Sequence, residues 1–174
     1  KYLSTGAYTD ELPAPGYNPD RPRTRDLWMF GLAQIFSTAS PAMFKEFEVD
    51  YTSRICARFG LVYYGCCDPL DDRMNEVRML PRVRKVSMSP WVNEERGAAE
   101  IRSDFVYSRK PSPAVFAPDR FSAEAARADL SKTKSICERH GCPLEFIMKD
   151  ISTVRHDPAR LFAWARIAME VACG

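Results

Sequence analysis

The sequence has no apolar run approaching the roughly 18 to 20 residues of a membrane span, and no basic-then-apolar leader before a small-residue cleavage site. The expected protein is cytoplasmic and has no membrane partner. A surplus of one charge is missing too. The 25 Lys and Arg are interleaved with 23 Asp and Glu for a formal charge of +2, so there is no basic stripe for a nucleic acid to recognise. No Gly-rich loop follows any candidate strand, which removes the usual sequence support for a nucleotide-phosphate site. Cysteine is present, as Cys56, Cys66, Cys67, Cys137, Cys142 and Cys173, but mostly inside apolar patterns; this argues against a secreted disulfide framework and for reduced thiols. An initial methionine is also lacking, and Lys1 to Gly6 read like the middle of something, so a trimmed or partial chain is expected.

What is there suits one well-buried domain: 174 residues, 45% hydrophobic and 28% charged. Residues 1–25 carry Pro13, Pro15, Pro19 and Pro22, which forbid regular structure and make an arm that either packs through Tyr2, Tyr8 and Tyr17 or is disordered. Residues 26–174 form the folded part. Leu27, Phe30, Leu32, Ala33 and Phe36 predict a short amphipathic helix. Ser40-Pro41 starts a second helix whose Phe44, Phe47, Tyr51, Ile55 and Phe59 make one apolar face, with Gly60 as a left-handed stop.

The organising stretch follows. Leu61 to Tyr64 read as a strand buried on both faces, and Asp68-Pro69 cannot continue its ladder, so Cys66, Cys67 and Asp68 fall at a rim. Three later segments, around Val86, Val106 and Phe146, share that plan of apolar centre and polar exit. Between them lie helices capped by Asp72, Asn93 and Ser122, with Trp91 placed to staple the second, Gly141 ending the third, and Asp157-Pro158 opening the last. Such alternation means parallel strands joined by right-handed crossovers. Two architectures fit: an open doubly wound sheet, or four strand-helix units amounting to half of a (β/α)8 barrel, whose full form needs about 250 residues.

Residues at the strand exits are the candidate site, because barrel enzymes place their working groups there. They are Ser87, Ser89, Arg109, Lys110, Lys149, Asp150, Thr153 and His156. Arg109-Lys110 suits an anionic substrate or is a solvated basic pair, and Lys149 beside Asp150 suits charge stabilisation or proton transfer. Alternation places Tyr64 and Cys66 on one face and admits only one of Cys66 and Cys67 to an interior unless the strand has already ended. Cys66 is then a thiolate ligand or nucleophile, or a small buried hydrophobe. Cys137, His140 and Cys142 look like a metal cluster but sit at a helix C-terminus on the opposite, stabilising end, where structural roles are expected. Trp28, Trp91 and Trp164 are expected as packing anchors.

Tyr8 to Pro13, Gln34 to Ser37 with Ser40-Pro41, Tyr63 to Leu70, Lys85 to Trp91, Ser108 to Pro113 and Glu145 to Ser152 resemble the C-terminal half of uroporphyrinogen decarboxylase-like proteins, closest to a bacterial branch of that superfamily. The resemblance implies a (β/α)8 barrel, corrinoid-linked methyl transfer or a related decarboxylation, and a zinc ligand at Cys66. It also implies a corrinoid supplied by a partner protein. The strand-end positions make Lys149 and Asp150 the expected catalytic pair, Tyr64, Ser87, Ser89, Arg109, Lys110 and His156 the expected substrate contacts, and Cys67 a further expected zinc ligand beside Cys66. This chain departs from the methyltransferase pattern: Tyr64 falls where a His ligand is expected and Lys149-Asp150 near a second Cys, so zinc would need other ligands. The decarboxylase branch's substrate-holding residues belong to the absent half, so the isolated half is expected to be inactive. A homo-oligomer or a complementary half-barrel is expected to cover the open edges left at Gly60 to Cys66 and Leu144 to Asp150, with Phe44, Phe47 and Tyr51 in the contact. The other reading is a non-catalytic module binding an anionic metabolite or a partner protein.

Overall fold

The computed structural model describes Gly16 and residues 18–174; most of the expected proline-rich arm, with Tyr2, Tyr8 and Tyr17, lies outside the described residues. Five parallel strands form one sheet: β1 (Trp28–Gly31), β2 (Leu61–Tyr64), β3 (Val83–Met88), β4 (Val106–Arg109) and β5 (Leu144–Phe146). The first of these corrects the expected amphipathic helix at its position. Aromatic residues favour strands, and pairing Trp28 with Leu61 through Gly31 with Tyr64 gives the segment a ladder that local periodicity could not anticipate. The edge expected at Gly60 to Cys66 is therefore covered by β1, and the sheet ends at β1 and β5 among the described residues.

Strand order is the order of the chain, without reversal. Crossovers of one hand and one direction put every connecting helix on the same face, which distinguishes this sheet from a doubly wound one. The helices are α1 (Pro41–Phe44), α2 (Asp50–Cys56), α3 (Met74–Val77), α4 (Glu94–Ile101), α5 (Ala123–His140) and α6 (Ala159–Cys173). The last four pack in sequence, each on the next. No helix among the described residues is long and apolar enough to cross a membrane.

Several terminators work as the sequence indicates. Asn93 Oδ1 accepts from the Arg96 amide at 3.0 Å, Ser122 Oγ accepts from the Ala125 amide at 3.1 Å, and Gly141 closes α5 in the left-handed region at φ 69°. Others differ. Gly60 does not take a left-handed conformation, Arg73 and not Asp72 stands at the cap of α3, and Trp91 is 77% exposed and staples nothing. A π-helical turn, Lys45–Val49, joins α1 to α2 and adds a residue to the repeat. Phe44, Val49 and Cys56 consequently face the core, while Phe47, Tyr51 and Ile55, expected on the same face as Phe44, are exposed.

The sheet has two different faces. Val62, Tyr64, Val86, Met88 and Tyr107 pack beneath the helices with Phe44, Val49, Ala98, Ile101 and Ile136. A second cluster, Phe116, Leu130, Trp164, Ile167 and Val171, joins α5 to α6. The opposite face carries Tyr63, Lys85, Ser87, Ser108 and Glu145, a polar set. On it Tyr63 Oη lies 2.7 Å from Ser108 Oγ two strands away, and Lys85 pairs with Glu145 across β4. Adjacent strands are roughly 5 Å apart, so contacts between side chains two strands apart mean that this face is concave.

Candidate functional site

β2 ends at Tyr64, and Gly65 turns the chain at φ 96°. A Cβ at Gly65 would lie 2.5 Å from Leu70 Cδ1 and 3.0 Å from Ser87 Cβ, so glycine is required both by conformation and by space. This turn breaks the alternation of the strand. Tyr64 stays on the helix side, its hydroxyl 3.0 Å from Glu48 Oε1, whereas Cys66 and Cys67 both swing to the strand ends. The expectation that Tyr64 and Cys66 share a face is thereby corrected, and both cysteines reach the site because the strand has already ended.

The turn is held from several directions. Asp68 Oδ1 accepts from the Cys66 amide at 3.0 Å, and Ser87 Oγ donates to the Cys66 carbonyl at 2.8 Å. Lys110 Nζ approaches the same carbonyl at 3.4 Å and lies 5.1 Å from the centre of the Tyr63 ring. Beyond β5, Lys149 Nζ donates to Cys66 Sγ at 3.0 Å and Cys67 Sγ at 3.1 Å, and pairs with Asp150 Oδ2 at 2.9 Å. Asp150 occupies the left-handed region at φ 56°, which Asp tolerates better than most residues, and the two sulfurs are 3.6 Å apart. Cys66, Cys67, Lys110, Lys149 and Asp150 line a cleft of about 140 Å³ walled by Pro90, Pro111 and the exposed Trp91.

The environment separates the two lysines. Burial, and after it the charge of Lys149, pushes Lys110 down to about 8. Burial also acts against the charge of Lys149, but the hydrogen bonds that its ammonium donates to Cys66, Asp150 and Cys67 outweigh it, and its pKa is raised. Cys67 is pushed up, chiefly by burial, with the Lys149 ammonium pulling the other way and the Cys66 sulfur adding to the rise. Cys66 and Cys67 both face the Lys149 ammonium, at 3.0 and 3.1 Å, and this placement suits the pair of sulfurs to a nucleophilic role.

Of the residues singled out by sequence, the cleft brings together Cys66, Cys67, Lys110, Lys149 and Asp150, with Ser87 beneath. Others lie elsewhere. Arg109 is on the helix side, 4% exposed, donating to Glu94 Oε1 at 2.9 Å and to the carbonyls of Ser89 and Lys110 at 3.1 Å, where it ties β4 to α4. Ser89 is buried and its hydroxyl accepts from the Trp91 amide at 3.3 Å. His156 and Thr153 are exposed on the loop beyond Asp150 and do not line the cleft. Cys142 donates to the Ala98 carbonyl, Cys137 is buried with its thiol pushed up to about 12 by burial, and His140 pairs with Glu95. Those three are structural. The Tyr63–Ser108 pair escaped sequence reading, although Tyr63 stands two residues before Gly65 on the concave face; Asp68, expected at the rim, is there and holds the Cys66 amide.

Zinc does not fit these residues as they stand. Among the described residues no group of three or more His, Cys, Asp or Glu is placed to hold a metal, and the Lys149 ammonium occupies the point on which two sulfurs and a carboxylate converge. Comparison with family models, curated proteins and solved structures finds no match for this chain.

Proposed function

We propose that the cleft binds a small anionic substrate and presents it to the Cys66 thiol, in a chain that makes up the C-terminal half of a uroporphyrinogen decarboxylase-like barrel enzyme. The observation that carries this reading is the convergence of two ammonium groups, Lys110 and Lys149, and two sulfurs in one cleft at the C-terminal ends of parallel strands. Before any reaction, Lys110 and Lys149 together supply positive charge for an anionic substrate. Lys149 holds negative charge on sulfur or on the reacting group, and Asp150 orients Lys149. The resemblance adds the reaction class, decarboxylation or methyl transfer linked to a corrinoid on a partner protein. Zinc is outside this reading because Lys149 holds the place it would need.

Three features support the half-barrel. The strands run in chain order with a concave polar face, as barrel strands do. The π turn and α2 expose Phe47, Tyr51 and Ile55, and α6 exposes Phe162 and Met169, so both ends of the helix layer carry apolar surface that further units would cover. Edges β1 and β5 call for the same completion, by a complementary half-barrel or a second copy. A module that binds an anionic metabolite without turnover is the second reading, favoured by the lysine at the centre of the donor set.

Alkylation tests the site, because the exposed Cys173 provides a reference thiol within the same chain. With iodoacetamide at pH 7, Cys66 is expected to react about tenfold faster than Cys173. Malonate should slow Cys66 alone, and Lys110→Met should abolish that protection. Equal rates at the two thiols, indifferent to malonate, would overturn the reading.

A further inference from the structure

We infer that Lys110 is an imine-forming lysine and that the substrate class of the cleft is a β-keto acid. The inference rests on the anion-binding reading of the cleft and goes beyond it by assigning a covalent role to one of its lysines.

An amine adds to a carbonyl only when unprotonated, which few lysines are at neutral pH. The two lysines of the cleft are built differently in this respect. Lys149 has three anionic or polarisable partners within 3.1 Å, which keep its proton in place. Lys110 has one hydrogen-bond acceptor among the described residues, the Cys66 carbonyl at 3.4 Å, and no carboxylate paired with it. Its side chain is 1% exposed, its Nζ lies over the Tyr63 ring, and its cleft neighbours include Pro90, Pro111 and Pro113. Low polarity and a neighbouring ammonium are the two conditions that make a lysine nucleophilic, and the depressed pKa of Lys110 agrees with both.

The chemistry balances without a cofactor. The neutral Lys110 amine attacks the ketone carbon, takes up one proton and loses water, giving a protonated imine. The substrate carboxylate lies toward the Lys149 ammonium. The bond between carboxylate and α-carbon breaks, carbon dioxide leaves, and the electron pair moves into the imine to give an enamine. The Cys67 thiol, in the same cleft, protonates the α-carbon and is reprotonated from water. Hydrolysis releases the ketone and the free amine, and one proton is consumed for each carbon dioxide formed. The protonated imine acts as the electron sink that decarboxylation requires.

Acetoacetate with sodium cyanoborohydride is the probe, read by intact mass and peptide mapping. The expected result is a single reduced adduct on Lys110, formed at least tenfold faster than on the surface residues Lys45 and Lys132, with a rate rising through a midpoint near pH 8. The adduct mass tells whether carbon dioxide was lost before reduction. Lys110→Arg should give no adduct while its circular dichroism is unchanged, and Lys149→Met should lower the rate at Lys110. Adducts spread evenly over surface lysines, or none at all, would overturn the inference. Malonate protection of Cys66, measured on the same sample, separates the causes: protection without an adduct removes the imine and leaves the cleft, and loss of both removes the cleft as well.

Discussion

The Lys149 ammonium lies 3.0 Å from the Cys66 sulfur, a contact made across 83 positions of sequence and between the ends of β5 and β2, which have two strands between them. In a flat sheet those strands would stand roughly 14 Å apart. Curvature brings them together, and the same curvature makes the cleft. The contact is therefore both a product of the fold and the centre of its chemistry.

Removing the ammonium should leave the sulfurs without their counter-charge. In Lys149→Met the alkylation of Cys66 at pH 7 is expected to fall about tenfold, as read by mass spectrometry against Cys173. The same substitution vacates the centre of the donor set, so zinc should bind Lys149→Ala more tightly than the parent chain in a competition titration.

Lys110 should set a pH dependence of stability. Its folded pKa, about 8, lies below the value near 10.4 of a free lysine, so the fold disfavours the protonated form. That cost is fully present below pH 8, diminishes as pH rises, and is absent above about 10.5. Lys110→Met should thus be more stable than the parent by about 1–3 kcal/mol at pH 7, with the advantage shrinking by pH 10 in urea titrations. A difference that stays constant with pH would contradict it.

Gly65 should tolerate no side chain. Gly65→Ala combines a 2.5 Å clash with Leu70 and a φ of 96°, for an expected loss of about 2–4 kcal/mol. Gly141 is the control. It also has positive φ, but no atom lies within 4 Å of the added carbon, and Gly141→Ala should cost about 1–2 kcal/mol.

Arg109 is expected to matter for stability and not for anion binding. Arg109→Met leaves the Glu94 carboxylate, 9% exposed, without its closest charge partner, at a cost of about 3 kcal/mol. Arg109→Met with Glu94→Leu should regain most of that in the same denaturation assay. Malonate protection of Cys66 should survive in the double variant.

The exposed helix faces and the two sheet edges should drive association. Light scattering of the chain alone is expected to show dimers or larger species, and replacing Phe47 and Tyr51 by Lys should shift it toward monomer. A monomer over a wide concentration range would mean that the sheet needs no complement.

The sequence by itself determined the alternation of strands and helices from Leu61 onward, the caps at Asn93 and Ser122, the stop at Gly141 and the rim at Cys66 and Cys67, because each depends on local pattern and on backbone preferences of single residues. Tertiary structure decided the rest. β1 is a strand because β2 offers it a ladder, and Phe44 parts from Phe47 and Tyr51 because a π turn shifts the helix against the sheet. Arg109 and Lys110 are adjacent in sequence, yet successive positions along a strand point to opposite faces; one became a buried tie to α4 and the other a wall of the cleft. Which strand ends meet is a property of sheet curvature, a sum over long-range pairings that no local window contains.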